Sequence, residues 1–329
     1  MTMIAITGIG GFIGLRAAER ALERDWEVRG IDVDPQGVQR ARELGAEAAV
    51  GSVEQPQQLR ECFAGVDVVL HTAAIVDESG DPGRFEAINV EGTRNVAEAA
   101  LDADVRRLVH LSSVMVYGFD YPDGIDESFE AGELTNIYCR TKRDSERVAR
   151  QFDDDPHLGV IVIRPGDVYG ARSRPWVLRP LEMMKSGLFR LPEGGRGLIN
   201  HVHVDNLLDA VFAALDQDAT GEVFNVTDGE PTEAAQFFAH HATMLGEQGV
   251  ATAPTVLLKA FAAASAPLFG LFGAEPPASP EALRFLCRSG TICSQKARRQ
   301  LDYEPRLGLD EGMGQVEGQL REAGLLSRD

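Results

Sequence analysis

The chain has 329 residues, 44% hydrophobic and 25% charged, with a formal net charge of −19. That length and balance suit one large folded domain or two small ones with a substantial core. So negative a chain has no basic field to neutralise phosphates, which argues against DNA or RNA as a partner and favours a small molecule.

From the N-terminus, short β-branched runs alternate with helical stretches. Strands are expected at 4–7, 28–32, 48–50, 66–71, 107–112 and 159–164, and helices near 12–24, 35–44, 56–63, 89–103 and 137–152. The strands read as continuous apolar runs, as parallel strands buried on both faces do. The alternation predicts an α/β fold, a Rossmann-type doubly wound parallel sheet with helices on both faces.

The first strand runs into Thr7-Gly8-Ile9-Gly10-Gly11-Phe12-Ile13-Gly14 and then a helix. Glycine suits a tight turn, a close approach of backbone to pyrophosphate, and close helix–strand packing; the helix start offers free N–H groups. The second strand ends at Asp32, where a carboxylate accepts from the ribose 2′- and 3′-hydroxyls and repels a 2′-phosphate. Val33 adds no positive charge, so NAD is expected over NADP. Asp34-Pro35 reads as a helix cap followed by proline at the first helical position. The fourth strand leads into His71-Thr72-Ala73-Ala74, where small residues let the cofactor lie against a strand end and His71 reads as a packed structural histidine.

The fifth strand ends in Ser112-Ser113, and Tyr138 and Lys142 follow at a spacing of four. On a helix those two share a face. Carbonyl–alcohol interconversion needs a proton donor or acceptor beside the hydride acceptor, and a nearby cationic lysine lowers a phenol toward working pH. A Ser113 hydroxyl can hold the substrate oxygen as charge moves onto it. The chain has only four lysines, Lys142, Lys185, Lys259 and Lys296, which adds weight to one in this spacing.

Past residue 164 the alternation breaks down. Residues 171–200 are rich in Arg, Pro and Gly; 205–215 reads as helix, 222–226 as strand, and 230–329 as mostly helical. The expected organisation is a dinucleotide-binding domain over 1–165, with 201–228 returning to it. A smaller, mostly helical substrate lobe then comprises 166–200 and 229–329. The apolar stretch 253–273 approaches the ~20 residues needed to span a bilayer, but Lys259 and Pro267 interrupt it, so two short helices are expected. Leu257, Phe261, Leu268, Phe269 and Phe272 either face a substrate or pack the lobe. His201 and His203 alternate near Asp205 without a third ligand cluster, so no metal is expected. His240 and His241 read as solvated. Cys62, Cys139, Cys287 and Cys293 form no CxxC pair and the chain opens on a strand, so a reduced, cytoplasmic protein is expected.

With these motifs the sequence resembles the extended short-chain dehydrogenase/reductase superfamily, the NAD-dependent epimerase/dehydratase group. The resemblance spans TGIGGFIG, the Asp32 strand, HTAA, Asn89 with Gly92-Thr93, SSVMVYG, YCRTK, RPGDVYG and HVHVDNLLDA. It implies Ser113, Tyr138 and Lys142 as the catalytic trio, Asn89 as a supporting residue and Pro165 near the nicotinamide. It also implies a homodimer through the helices near 89–103 and 137–152. The chain departs from the pattern at Ser52-Val53, where relatives often carry Asp for the adenine, and at Thr141 in place of Ser. Nucleotide-sugar enzymes of the group carry Asn and Arg where this chain has Asp167 and Ile199, and a carboxylate at Asp167 would repel a diphosphate. The tail is most like the 3β-hydroxysteroid dehydrogenase/dihydroflavonol-reductase-like branch, in which the apolar region lies near the substrate entrance or a membrane surface. The resemblance thus implies a hydrophobic alcohol or ketone substrate, with peripheral membrane contact as an option. A nucleotide-sugar 4-epimerase or dehydratase, and a non-catalytic NAD sensor, are the alternatives.

Overall fold

The computed structural model describes residues 1–77, 80–154, 157–271 and 279–326. Seven parallel strands form its sheet: β1 (Met3–Thr7), β2 (Glu27–Asp32), β3 (Glu47–Val50), β4 (Val68–His71), β5 (Arg107–Leu111), β6 (Gly159–Pro165) and β7 (Val223–Val226). Their order is β7-β6-β5-β4-β1-β2-β3. The order reverses between β1 and β4, which opens a crevice at the carboxyl ends of those two strands, the usual place for a ligand in such sheets. β4, β5, β6 and β7 are buried along their whole length, which accounts for their unbroken apolar runs.

Helices cover both faces. On one face α1 (Phe12–Leu22) packs with a later helix, Val204–Asp216, against Ile4, Ile6, Leu70 and Val109. On the other, the helices Pro56–Phe63 and Gly92–Asp102 bury Leu59, Phe63, Val96 and Ala100 against Ala5, Val69 and Leu108. Asp34 caps the helix Pro35–Glu43, accepting from the amides of Gln36 and Gly37, as its position before Pro35 predicts. A π-turn at Glu86–Glu91 precedes the helix Gly92–Asp102, a geometry frequent at functional sites.

A third apolar cluster lies beyond the sheet. It gathers Val177, Leu181, Phe189, Phe237, Phe238 and Val316 from segments on either side of β7. The C-terminal stretch then returns to the sheet: Ala297, Leu301 and Tyr303 belong to the first core cluster. The Asn206 side chain donates to the Leu307 carbonyl at 2.9 Å and accepts from the amide of Arg306 at 3.0 Å.

Two expectations are corrected. The stretch expected to form two short helices is one helix, Thr255–Leu271, running through Pro267; its many alanines have high intrinsic helix propensity, which outweighs the one backbone donor that proline removes. Among the described residues no helix is long and apolar enough to cross a membrane. His241 is fully buried, not solvated. Its Nε2 is 2.8 Å from the Trp176 carbonyl, because the helix Ala234–Met244 turns that side toward the third cluster. Leu257 and Phe261 do not pack the lobe; they are 62% and 46% exposed. The side chains of Leu268 and Phe269, and all of Phe272, lie outside the described residues.

Candidate active site

The glycine turn is a cradle that side chains would fill. Gly8 has φ +75°, and a Cβ there would lie 2.9 Å from the Ala73 amide nitrogen. A Cβ on Gly14 would come within 2.1 Å of the Gly8 carbonyl oxygen. The helix α1 starts at Gly11 with no side-chain cap, so its first-turn amides are left for a ligand, which suits an anion such as a pyrophosphate. Asp32 sits beyond the turn, one oxygen accepting from the Gly10 amide at 2.9 Å and the other from the Asp34 amide at 2.9 Å. Each carboxylate oxygen keeps a second lone pair for a ribose hydroxyl. Thr72 donates to the Thr7 carbonyl at 2.8 Å, tying the ends of β1 and β4 together across the crevice.

One cavity of about 890 Å³ runs along these residues. On its wall stand Gly8, Gly11, Phe12, Ile13, Gly14 and Asp32, then Ser52, Val53, Thr72, Ala73 and Ala74, and further along Ser112, Ser113, Tyr138, Lys142 and Pro165. Two sequence candidates are not on it. Gly10 packs against Gly37, where a Cβ would lie 2.6 Å from its Cα. Asn89 is buried behind the wall; its side chain accepts from the Ile75 amide at 2.7 Å and donates to Thr141 Oγ1 at 3.2 Å. It therefore ties the loop after β4 to the helix Ile137–Arg150. His71 is a structural residue, its ring nitrogens held by Thr7 at 2.7 Å and Thr93 at 3.0 Å.

The helix Ile137–Arg150 is capped by Asn136, whose side chain accepts from the Cys139 amide at 3.1 Å. It presents Tyr138 on the same cavity wall as Ser113. Burial pushes the phenol up to about 12; the Ser113 hydroxyl pulls it down, and Cys139 and Asp167 push it further up. Lys142 Nζ donates to the Leu111 carbonyl at 2.6 Å. Burial holds its amine down at about 8, with Glu146 opposing. The ammonium thus points to the end of β5, on the same cavity wall as Tyr138.

Behind the trio lies a buried polar network. Ser112 Oγ donates to Glu146 at 2.7 Å, and Arg164 Nε donates to the same carboxylate oxygen at 2.9 Å. Arg164 also donates to the Tyr117 hydroxyl at 2.6 Å, which donates in turn to Asn225 at 2.8 Å. This network joins β5, β6, β7 and the Tyr138 helix, and so fixes where Ser113 and Tyr138 meet.

The aromatic part of the remaining wall, Phe261 apart, was not identified from sequence. Trp176, Met183, Phe189, Phe238 and Phe285 form an apolar chamber, with Arg172, Arg174, Arg179 and Arg190 on the same wall. Trp176 packs on Phe238 with ring centroids 6.4 Å apart. Arg179 and Met183, four apart on the helix Arg179–Lys185, are the pair that a helical spacing would have placed on a common face. Leu258 and Phe261 of the helix Thr255–Leu271 also reach the cavity.

Asp167 is the largest surprise. It is buried, and its Oδ2 accepts from Arg288 at 2.6 Å and from the Asn200 amide at 3.0 Å. Burial pushes its carboxyl up, while Arg288 pulls it down. The repulsion expected of a bare carboxylate is thus largely answered by a counter-ion 121 residues away in the chain. Ile199, its companion in the sequence reading, is buried in the third cluster and is not on the cavity wall. His201 bonds Asp228 at 3.2 Å and Thr232 at 2.9 Å, and His203 caps the helix Val204–Asp216.

Residues 4–227 match the NAD dependent epimerase/dehydratase family. A 4-hydroxy-2-methyl-3-oxo-4-farnesyl-3,4-dihydroquinoline-1-oxide ketoreductase of Stigmatella aurantiaca is 31% identical, over 97% of this chain and 96% of that protein. A 3-beta-hydroxysteroid dehydrogenase of Mycolicibacterium neoaurum is 25% identical, over 95% and 89%. The crystal structure of the UDP-glucuronic acid 4-epimerase from Bacillus cereus in complex with NAD superposes with a TM-score of 0.78 at 19% identity, covering 98% of this chain and 99% of that one; that likeness concerns the fold.

Proposed function

The chain belongs to the NAD dependent epimerase/dehydratase family, and from that premise we propose that it is an NAD-dependent oxidoreductase interconverting a secondary alcohol and a ketone on a largely apolar substrate. The observation that carries this reading is a single cavity that holds a glycine cradle, the Ser113–Tyr138 pair and an aromatic chamber on one wall. The names of two relatives support it: one is a ketoreductase of a farnesyl-bearing oxo compound, the other a hydroxysteroid dehydrogenase.

Gly8, Gly11, Gly14 and the free amides of α1 would hold the pyrophosphate of NAD, and Asp32 its adenosine ribose. Val53, Thr72, Ala73, Ala74 and Pro165 line its path, and Ser52 would serve the adenine. When bound, the cofactor supplies the hydride acceptor or donor. Ser113 then holds the substrate oxygen by its hydroxyl. Tyr138 takes the proton from that oxygen during oxidation and returns it during reduction. Lys142 keeps a positive charge under the site, and a phenol pushed to about 12 needs that charge to give up its proton. Asn89 holds the loop and helix that frame this group.

Tyr138→Phe tests the assignment. It should lower turnover by about 10²–10⁴-fold while leaving NAD affinity, read by calorimetry, unchanged. Turnover within a few fold of the parent would remove Tyr138 from the chemistry. A second reading, a nucleotide-sugar 4-epimerase, is favoured by the arginines on the chamber wall. It requires NAD carried through dialysis and tight binding of a UDP-sugar.

A further inference from the structure

Asp167 is an acceptor on the cavity wall that the proton chemistry does not use. Asp167 lies on the same wall as Tyr138 and Ser113, and its charge acts on the Tyr138 phenol. Its Oδ2 is occupied by Arg288 and the Asn200 amide. Its Oδ1 has no partner among the described residues, yet it is not one of the sealed, unsatisfied polar atoms. It is therefore the oxygen that opens to the cavity.

The other partner is fixed. The Arg288 side chain is fully buried, its guanidinium 3.5 Å above the Phe285 ring and within 3.7 Å of Met115 Sδ. Phe285 and Met115 both line the cavity. Asn200, whose amide completes the grip on Oδ2, is itself held through its side chain by Tyr121 at 3.3 Å and by the Gly290 carbonyl at 3.2 Å. Two elements thus aim one carboxylate oxygen, and neither competes for the other.

We propose that Asp167 is a specificity-determining residue: its Oδ1 accepts a hydrogen bond from a hydroxyl or N–H on the substrate close to the reacting carbon, with Arg288 as the positioning residue. The preferred substrate is then an apolar molecule carrying a donor beside its ketone, such as an α-hydroxyketone. A carboxylate or an ether oxygen at that place is disfavoured, because each presents only lone pairs to Oδ1. This deepens the oxidoreductase reading above and rests on it.

The test uses the full chain with NADH and three probes: benzoin, benzoin methyl ether and deoxybenzoin. These share a diaryl ketone body and differ in whether a donor, a bare oxygen or nothing sits beside the carbonyl. The expected kcat/KM for benzoin exceeds those for the other two by about tenfold or more, the value of one hydrogen bond in a desolvated site. The charge-balanced pair Asp167→Leu with Arg288→Met removes the acceptor without leaving a buried charge alone. It should bring the three values to within about threefold of one another. NAD affinity checks that this variant is folded. A variant without NAD affinity is replaced by Asp167→Glu, which moves the oxygen and should lower the benzoin preference on its own. Turnover of all three probes without preference in the parent, or a preference that survives the substitution, overturns the inference and leaves the oxidoreductase reading standing. No turnover of any ketone overturns both.

Discussion

At the residue scale the glycines give the sharpest expectation. Gly14→Ala places a methyl group 2.1 Å from the Gly8 carbonyl oxygen, a backbone atom that cannot rotate away. The variant should lose NAD binding by calorimetry and about 1–3 kcal/mol of stability by urea titration. The buried histidines set an acid limit. Burial holds His71 at about 3 and His241 at about 4, against about 6.5 in an unfolded chain. Between those values the unfolded state binds a proton that the folded state refuses, so stability rises with pH through that window and falls as pH drops through it. Each histidine should contribute a slope of about 1.4 kcal/mol per pH unit below pH 6.5. His241→Gln, keeping a donor for the Trp176 carbonyl, should remove one such slope between pH 4 and 6. The glycine turn and the Tyr138–Lys142 spacing were legible because each is a short-range pattern on one element, and Asp32 and Ser113 because each follows or ends a strand. Asp167 was legible as a residue and misread as a charge, because its counter-ion is remote in sequence.

At the element scale the Tyr138 helix does more than carry a tyrosine. Lys142 and Glu146 follow at intervals of four, so one helix face meets the cavity, the end of β5 and the Arg164 guanidinium in turn. Breaking the Glu146–Arg164 pair from one side leaves a buried charge alone. Arg164→Met should therefore cost about 3–5 kcal/mol, read as a shift in the urea midpoint, while Arg147→Met on the exposed face should be neutral within about 0.5 kcal/mol. The helix Thr255–Leu271 shows the limit of composition as a guide. A proline and a lysine in an apolar run looked like a break, yet the run is one helix with Phe261 on the cavity wall and half exposed. Phe261→Ser should raise KM for long apolar ketones several-fold and leave the melting temperature unchanged.

At the scale of the whole molecule the two tryptophans report on different parts. Trp26 packs edge-on against Phe212 at the sheet face, with ring centroids 5.5 Å apart, and Trp176 stacks in the chamber. The C-terminal residues Ala297, Leu301 and Tyr303 lie in the sheet's own core, so chamber and sheet should unfold together. Trp26→Phe and Trp176→Phe variants, each leaving one reporter, should show coincident urea transitions; separated midpoints would mean the two parts fold independently. The sheet was legible because strand–helix alternation is local and periodic. The chamber was not: Trp176, Phe238 and Phe285 meet through contacts between segments far apart in the chain, for which the sequence carries no period.

The Asp167–Arg288 pair also bears on how the molecule is made. Asp167 leaves the ribosome 121 residues before its counter-ion, roughly 6–24 s earlier at ordinary translation rates of about 5–20 residues per second. During that interval the carboxylate has no cation to accompany it out of water, and so it must stay hydrated. The strand ends around it stay open for the same time, and the reaction chamber is among the last parts of the protein to exist.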